Sequence, residues 1–188
     1  MSIKDTKEYL SPITIHLHWI VAAFMIFLTA LGIYMEEVGA ENLFDLHISL
    51  GTLILIFVLP RIIWRIQNGW PEAAGHYTTL EHLSGKIVHW VLIIATLLMP
   101  ISGVMMAIAG GHGLHFFGLE LVAESIDPNN PEEVIVLAPL LANLGDSIHG
   151  IGGNVLPVAI GLHIVGALKH HLIDKDRTLT RMLSAKKH

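Results

Sequence analysis

The sequence predicts an all-α fold, a bundle of four membrane-spanning helices forming one integral-membrane domain over residues 1–188. Three observations predict it. Hydrophobic residues make up 53% of the chain and charged residues only 14%, against about 25% charged in soluble domains. The apolar residues fall in long uncharged runs: none of Asp, Glu, Lys or Arg lies between Glu8 and Glu36, between Lys86 and Glu120, or between Asp146 and Lys169, and a further run extends from Asp45 to Arg61. A hydrocarbon core about 30 Å thick is crossed by a helix of about 20 apolar residues, which places helices near 13–35, 46–66, 86–109 and 142–168. Finally, histidines recur at matched depths within these runs. A soluble four-helix bundle is the alternative that the same helices allow.

The first helix opens at Ser11-Pro12, an N-cap followed by a proline in the first turn. A short acidic connection leads to the second helix, which ends around Trp64-Arg65 and is expected to kink at Pro60. The connection from Asn68 to Gly85 carries Gly69, Trp70, Pro71 and Gly75 and reads as an ordered interfacial loop. The third helix contains Pro100 and Ser102-Gly103. After it comes the longest connection, roughly 110–141, whose segment Asp127-Pro128-Asn129-Asn130-Pro131-Glu132-Glu133 reads as a turn leading into a short helix. The fourth helix carries Gly150, Gly152, Gly153, Gly161 and Gly166, with Pro157 among them. Such glycines either permit close helix packing or leave room for the edge of a flat macrocycle.

All eleven Lys and Arg residues lie at the N-terminus (Lys4, Lys7), around the second connection (Arg61, Arg65, Lys86) or from Lys169 onward. With four helices these regions share one side, and the positive-inside rule makes that side cytoplasmic, with both termini on it. The other two connections hold Glu36, Glu37, Glu41, Asp45, Glu120, Glu124, Asp127, Glu132, Glu133 and Asp146. The net charge of −5 therefore conceals a polarised molecule. The first apolar run is too long for a cleavable signal and is read as the first helix itself. Absence of cysteine excludes thiolate-bound iron–sulfur clusters, disulfides and covalent c-type haem attachment.

His149 and His163 lie 14 residues apart on the fourth helix, roughly 21 Å along its axis and about 40° around it. They point the same way from opposite margins of the hydrocarbon core. An intramembrane imidazole is a functional candidate by default, and two stacked ligands facing one interior point to two stacked haems. Depth supplies the partners: His18 with His163 on the inner side, His47 with His149 on the outer side. His16 competes with His18, since residues two apart on a helix point about 200° apart. His89 is left without a depth-matched partner and is either a quinone-site donor or a polar cap. Lys86 and His170 lie on the same side and complete a candidate quinone site, while His171 reads as interfacial. Arg61 and Arg65 are candidates for the inner propionates, and His112 and His115 for the outer ones.

The segment Gly161-Leu162-His163, with Ala167-Leu168-Lys169-His170-His171-Leu172-Ile173-Asp174-Lys175-Asp176 and Thr178-Leu179 after it, resembles the C-terminal signature of the bacterial cytochrome b561 family. The likeness extends to His18-Trp19, Leu46-His47-Ile48-Ser49-Leu50-Gly51, Arg61 and Phe116-Phe117-Gly118-Leu119. It implies a bundle enclosing two b-type haems in the bacterial inner membrane, with His18, His163, His47 and His149 as axial ligands of the haem iron. It also implies electron exchange with ubiquinone or another quinone and, in one branch, oxidation of superoxide at the outer face. The outer loops here lack the basic residues that would attract an anion. A membrane cytochrome carrying electrons between a periplasmic donor (superoxide or a basic redox protein) and quinone is the leading reading. An electron-relay anchor subunit of a periplasmic dehydrogenase or hydrogenase is the alternative. A histidine-lined metal transporter is disfavoured, because no carboxylate lies inside the uncharged runs. Membrane lipid is an implied partner and nucleic acid is not.

Overall fold

Four long apolar helical segments run the length of the molecule in the computed structural model, which describes residues 4–6, 9–71, 73–75 and 77–183. Lys7, Glu8, Lys186 and Lys187, and the side chain of Glu41, lie outside the described residues. Helix α1 (Pro12–Val38) begins where the Ser11 hydroxyl accepts the Thr14 N–H at 3.2 Å and stops at Gly39, whose φ of 62° is left-handed. The second span is two helices in line, α2 (Phe44–Leu53) and α3 (Leu55–Asn68), broken at the fully buried Ile54. The break lies N-terminal to Pro60, where the kink was expected. The proline stays inside α3, and its missing donor and its ring act on the turn that precedes it.

Helix α4 (Thr79–Ala109) starts seven residues before the apolar run does, because the Thr78 hydroxyl accepts the Glu81 N–H and the Glu81 carboxylate accepts the Thr78 N–H at 2.8 Å. That reciprocal cap nucleates a polar first turn which hydropathy alone does not register. Helix α5 (Pro139–Leu172) is likewise longer than its uncharged core, and a short α6 (Thr178–Leu183) follows.

The connection between α4 and α5 departs from expectation. It forms two hairpins, β1 (Leu114–Phe116) with β2 (Leu119–Val122) and β3 (Ile126–Asp127) with β4 (Asn130–Val134). Among the described residues the expected short helix after Asp127 is replaced by β4, and the next helix is α5. The Asp127 carboxylate accepts the Asn129 N–H at 2.8 Å and closes a tight turn, and Ile135 N–H then bonds back to Ser125 O at 2.6 Å. This local side-chain bond competes with helix initiation and wins. At the first hairpin, Phe117 (φ 50°) and Gly118 (φ 84°) supply the positive φ pair that a two-residue turn requires. Gly111 is a site of close approach, since a Cβ there would lie 2.2 Å from Ile135 O.

The N-terminal segment, the end of α3, the start of α4 and the end of α5 all meet at one end of the bundle. Asp5 accepts the Ser11 N–H at 2.8 Å and the Thr14 hydroxyl at 2.9 Å, and pairs with Arg65 at 3.6 Å. Trp64 Nε1 donates to Thr14 Oγ1 at 2.8 Å, and Trp19 Nε1 donates to Met182 O at 2.7 Å. Lys169 bridges α5 to Glu81 of α4 and to Asp174. The basic segments thus share one end, as the charge distribution requires. Between the ends lies an apolar layer of Val21, Met25, Ile54, Val58 and Leu156, and a smaller cluster of Ile48, Ala107 and Leu114 sits under the β hairpins.

Candidate functional site

The histidines expected to pair do meet. The rings of His18 (α1) and His163 (α5) lie 6.1 Å apart between centroids, and those of His47 (α2) and His149 (α5) lie 6.2 Å apart. Metal–imidazole bonds are about 2 Å long, with each ring centroid about 1.1 Å behind its nitrogen, so a metal between two imidazoles sets the centroids about 6 Å apart. Both pairs have that separation. The apolar layer of Met25, Ile54 and Leu156 lies between them. His16 is exposed and His18 half-buried, which resolves their competition in favour of His18.

At the outer pair, the neighbours fix one ring and leave the other open. His149 Nδ1 lies 3.1 Å from Met99 O and 3.2 Å from Ser102 Oγ. A carbonyl partner calls for a proton on Nδ1, which leaves Nε2 with a free lone pair for a metal, the usual outer-shell arrangement of a ligating histidine. His47 Nδ1 is buried without a hydrogen-bond partner among the described residues. Glycine faces each ring: a Cβ on Gly103 would lie 3.3 Å from His149 Cε1, and one on Gly32 would lie 3.4 Å from His47 Cε1.

The glycines that make room for these rings are therefore on α4 and α1. Those singled out on α5 do other work or none. A Cβ on Gly145 would meet Met106 N at 3.0 Å, one on Gly152 would meet Met99 Sδ at 2.3 Å, and those on Gly150, Gly153, Gly161 and Gly166 would meet nothing. Gly32 and the Met99 carbonyl escaped sequence reasoning. The signal that could have found Gly32 is a lone glycine at the depth of His47 on the neighbouring helix.

Depth placed His89 and Arg61 on the side of the inner pair, and the structure brings both close to it. His89 of α4 packs edge-on against His163 at 5.2 Å and faces Trp70 at 6.0 Å. Arg61 is within electrostatic reach of His18, His89 and His163, and it has no ion pair among the described residues. A free guanidinium beside imidazoles suits a carboxylate-bearing cofactor. Arg65 is committed elsewhere, to Asp5 and to Gly69 O at 2.7 Å.

The three candidates for a quinone site have separate surroundings. Lys86 is exposed on α4 and His89 belongs to the inner histidine group. His170 stacks on Tyr77 at 4.3 Å and bonds Asp174 at 2.8 Å. His170, Asp174 and Asp176 converge closely enough to hold a metal ion, but Lys169 already engages Asp174, and the Tyr77 hydroxyl donates to Asp176 at 2.5 Å. This group reads as a clamp that fastens the chain after α5 to the inner connection. At the other end, His112 is exposed beside Phe44, and His115 lies between Asp45 and Glu120, at 3.7 and 3.8 Å.

Known proteins resemble this chain over nearly its whole length. The family model described as prokaryotic cytochrome b561 matches residues 9–185. Cytochrome b561 homolog 2 of Escherichia coli (strain K12) is 28% identical over 97% of this chain and 95% of its own length. Two further relatives match as fully: a protein named Probable superoxide oxidase CybB in Yersinia pestis, 26% identical over 96% of this chain and 98% of its own length, and cytochrome b561 homolog 1 of E. coli, 24% identical over 94% and 98%.

Proposed function

Because this chain belongs to the prokaryotic cytochrome b561 family, whose members are haem-binding membrane electron-transfer proteins, we propose that it carries electrons across the bacterial inner membrane between an outer donor and quinone through two b haems. The observation that carries this reading is the two histidine couples, at 6.1 and 6.2 Å, near opposite ends of one bundle. His18 and His163 would hold the inner group, with Arg61 toward its propionates, and His47 and His149 the outer group. Each group would supply one-electron chemistry, and two imidazole ligands would favour electron transfer over oxygen activation. The chain supplies the rest. Met99 O and Ser102 orient His149, and Gly32 and Gly103 leave space beside the outer rings. The apolar middle layer excludes water from between the couples. On the inner side, His89 stands beside His163 and offers a ring nitrogen to a quinone oxygen, with Lys86 and His170 toward the same end of the bundle in separate surroundings.

The basic end of the bundle faces the cytoplasm in this reading and the β hairpins face the periplasm. Superoxide oxidation is the most specific enzymatic version, supported by the name of the Yersinia relative. A relay subunit anchoring a periplasmic dehydrogenase or hydrogenase is the second version, favoured by the folded β layer on the outer end. The visible spectrum and haem-to-protein ratio of the purified protein test the core of the proposal. The native protein should hold two low-spin haems, and H163A and H149A should each hold about one, with opposite bands lost. Two haems with unaltered spectra in either variant would refute the ligand assignment.

A further inference from the structure

The β1–β2 hairpin is fastened to α2, the helix that carries His47 of the outer couple. Ser49, two residues after His47 and almost completely buried, accepts the Phe117 N–H at 2.9 Å and donates to His115 O at 3.4 Å. The ladder pairs His115 with Glu120, and the ring of His115 reaches Asp45 at the start of α2. The hairpin therefore rests on the helix that carries His47, and two carboxylates flank the contact.

Its tip has a composition that folding does not use. Phe117, Leu119 and Leu121 are 56, 62 and 51% exposed. Asp45 and Glu120 flank His115 at its base, and Glu124, Glu132 and Glu133 belong to the same outer connection, all five exposed. The outer connections and the helix ends beside them, Glu36 to Asp45 and Glu120 to Asp146, hold ten carboxylates and no Lys or Arg. An apolar patch beside charge of one sign has the anatomy of a transient protein interface, with a dry centre and a polar rim. Weak electron-transfer encounters occupy the small end of interface sizes, which suits a patch of three side chains. These carboxylates oppose seating on an anionic leaflet and repel small anions.

We propose that the hairpin tip Phe117–Leu121 and the carboxylates of the outer end form the docking surface for a basic soluble one-electron carrier protein whose apolar contact patch is bordered by lysines. This rests on the proposed role of the His47–His149 site as the outer electron entry. In the encounter the carrier is oxidised by one electron and the group held by His47 and His149 is reduced by one. No bond is made or broken. The acidic field sets the encounter rate, and the tip sets the lifetime of the complex.

The test uses the full-length protein in phosphatidylcholine nanodiscs, with mammalian cytochrome c as the basic probe and an acidic flavodoxin as control. Binding is read by interferometry, and the haem spectrum is recorded separately. Cytochrome c should bind, weaken about tenfold or more between 20 and 200 mM salt, and bind at least about fivefold more weakly to E120Q/E124Q/E133Q and to F117N/L119S, with the haem spectrum unchanged in both. Equal affinity for flavodoxin, or undiminished cytochrome c binding by both variants, overturns the proposal. So does quenching of an F117W probe by brominated lipid without a response to cytochrome c, which would make the tip a membrane anchor. A native protein lacking haem would sink the electron-transfer reading, whereas a haem-loaded protein that fails to bind the carrier sinks only the docking surface.

Discussion

At the scale of single residues, the outer couple shows how little freedom a ligating histidine is left. His149 is held from behind by Met99 O and Ser102 Oγ, and Gly103 lies against its ring edge. A methyl group at position 103 would sit at 3.3 Å, a distance a small shift relieves, but the two branches of valine reach farther into the ring. G103A should therefore keep both haems and G103V should lose the outer one, leaving a haem ratio near one. G32V should act alike through His47. Full haem content in G103V would show that the ring is not confined as described. S102A should keep both haems but shift the outer potential, because a neighbour of Nδ1 tunes ligand basicity. The pairing of His18 with His163 and of His47 with His149 was legible from depth alone. The contact of His89 with His163 was not, because the helical rotation of α4 relative to α5 is set by packing and has no signature in spacing.

At the scale of elements, the inner end is closed by a clamp built from four segments. Tyr77 donates to Asp176 and lies 3.0 Å from Thr178, whose N–H bonds Asp176 at 2.7 Å. Lys169 joins Asp174 to Glu81 at the start of α4. The Lys169 ammonium, followed by His170, holds the Asp174 carboxyl below the usual carboxylate range. Burial pushes Asp176 up, but bonds from Tyr77 and Thr178 outweigh it and leave it lowered. Burial and the bond to Asp176 raise the Tyr77 phenol. Carboxylates depressed in the folded state contribute stability that is full above their unfolded value near 4 and is lost as pH falls through the lower folded value. Thermal unfolding in detergent should therefore lose more Tm below about pH 4 in the native chain than in D174N/D176N. Y77F should cost about 1 kcal/mol at neutral pH. A parallel pH profile in the double variant would remove the clamp from the account. The hairpins of the outer connection make the complementary point. A Glu-rich stretch after Pro131 reads as a helix start by composition, yet the Asp127 side chain turns the chain first.

At the scale of the whole molecule, charge is sorted along the bundle axis. The structure puts Arg65, Lys169 and Arg181 at the end where α1 begins and α5 ends, and the β hairpins with their carboxylates at the other. With the basic end in the cytoplasm, reporter fusions after Ala40 and after Asn129 should report outside, and one after Gly75 inside. A periplasmic signal at Gly75 would invert the molecule and the proposal with it. The same asymmetry gives opposite signs for two donors. Reduction by superoxide should speed up as salt rises, because screening with a Debye length of about 10 Å at 0.1 M relieves repulsion, whereas reduction by a cationic donor should slow. Stopped-flow haem reduction against ionic strength reads both signs. A fast superoxide reaction that slows with added salt would favour the superoxide oxidase reading over a protein donor.

What the amino-acid sequence determined by itself is what depends on one-dimensional periodicity and on the energetic extremes of lipid. Burying a charge in hydrocarbon is costly enough that the uncharged runs count the helices, the basic segments gather at one end, and each histidine inside a run acquires a depth from its position. Those quantities need only a rise per residue and a sign of charge. What the tertiary structure decided depends on rotation and on small competing local energies. Which ring of His16 and His18 turns inward, which glycines lie beside a ligand, that His89 joins the inner pair, that the second span breaks at Ile54, and that the outer connection pairs as strands are each settled by packing between segments far apart in sequence. Differences of about 1 kcal/mol, the size of a hydrogen bond or a helix cap, choose among such alternatives, and no spacing in the chain records them.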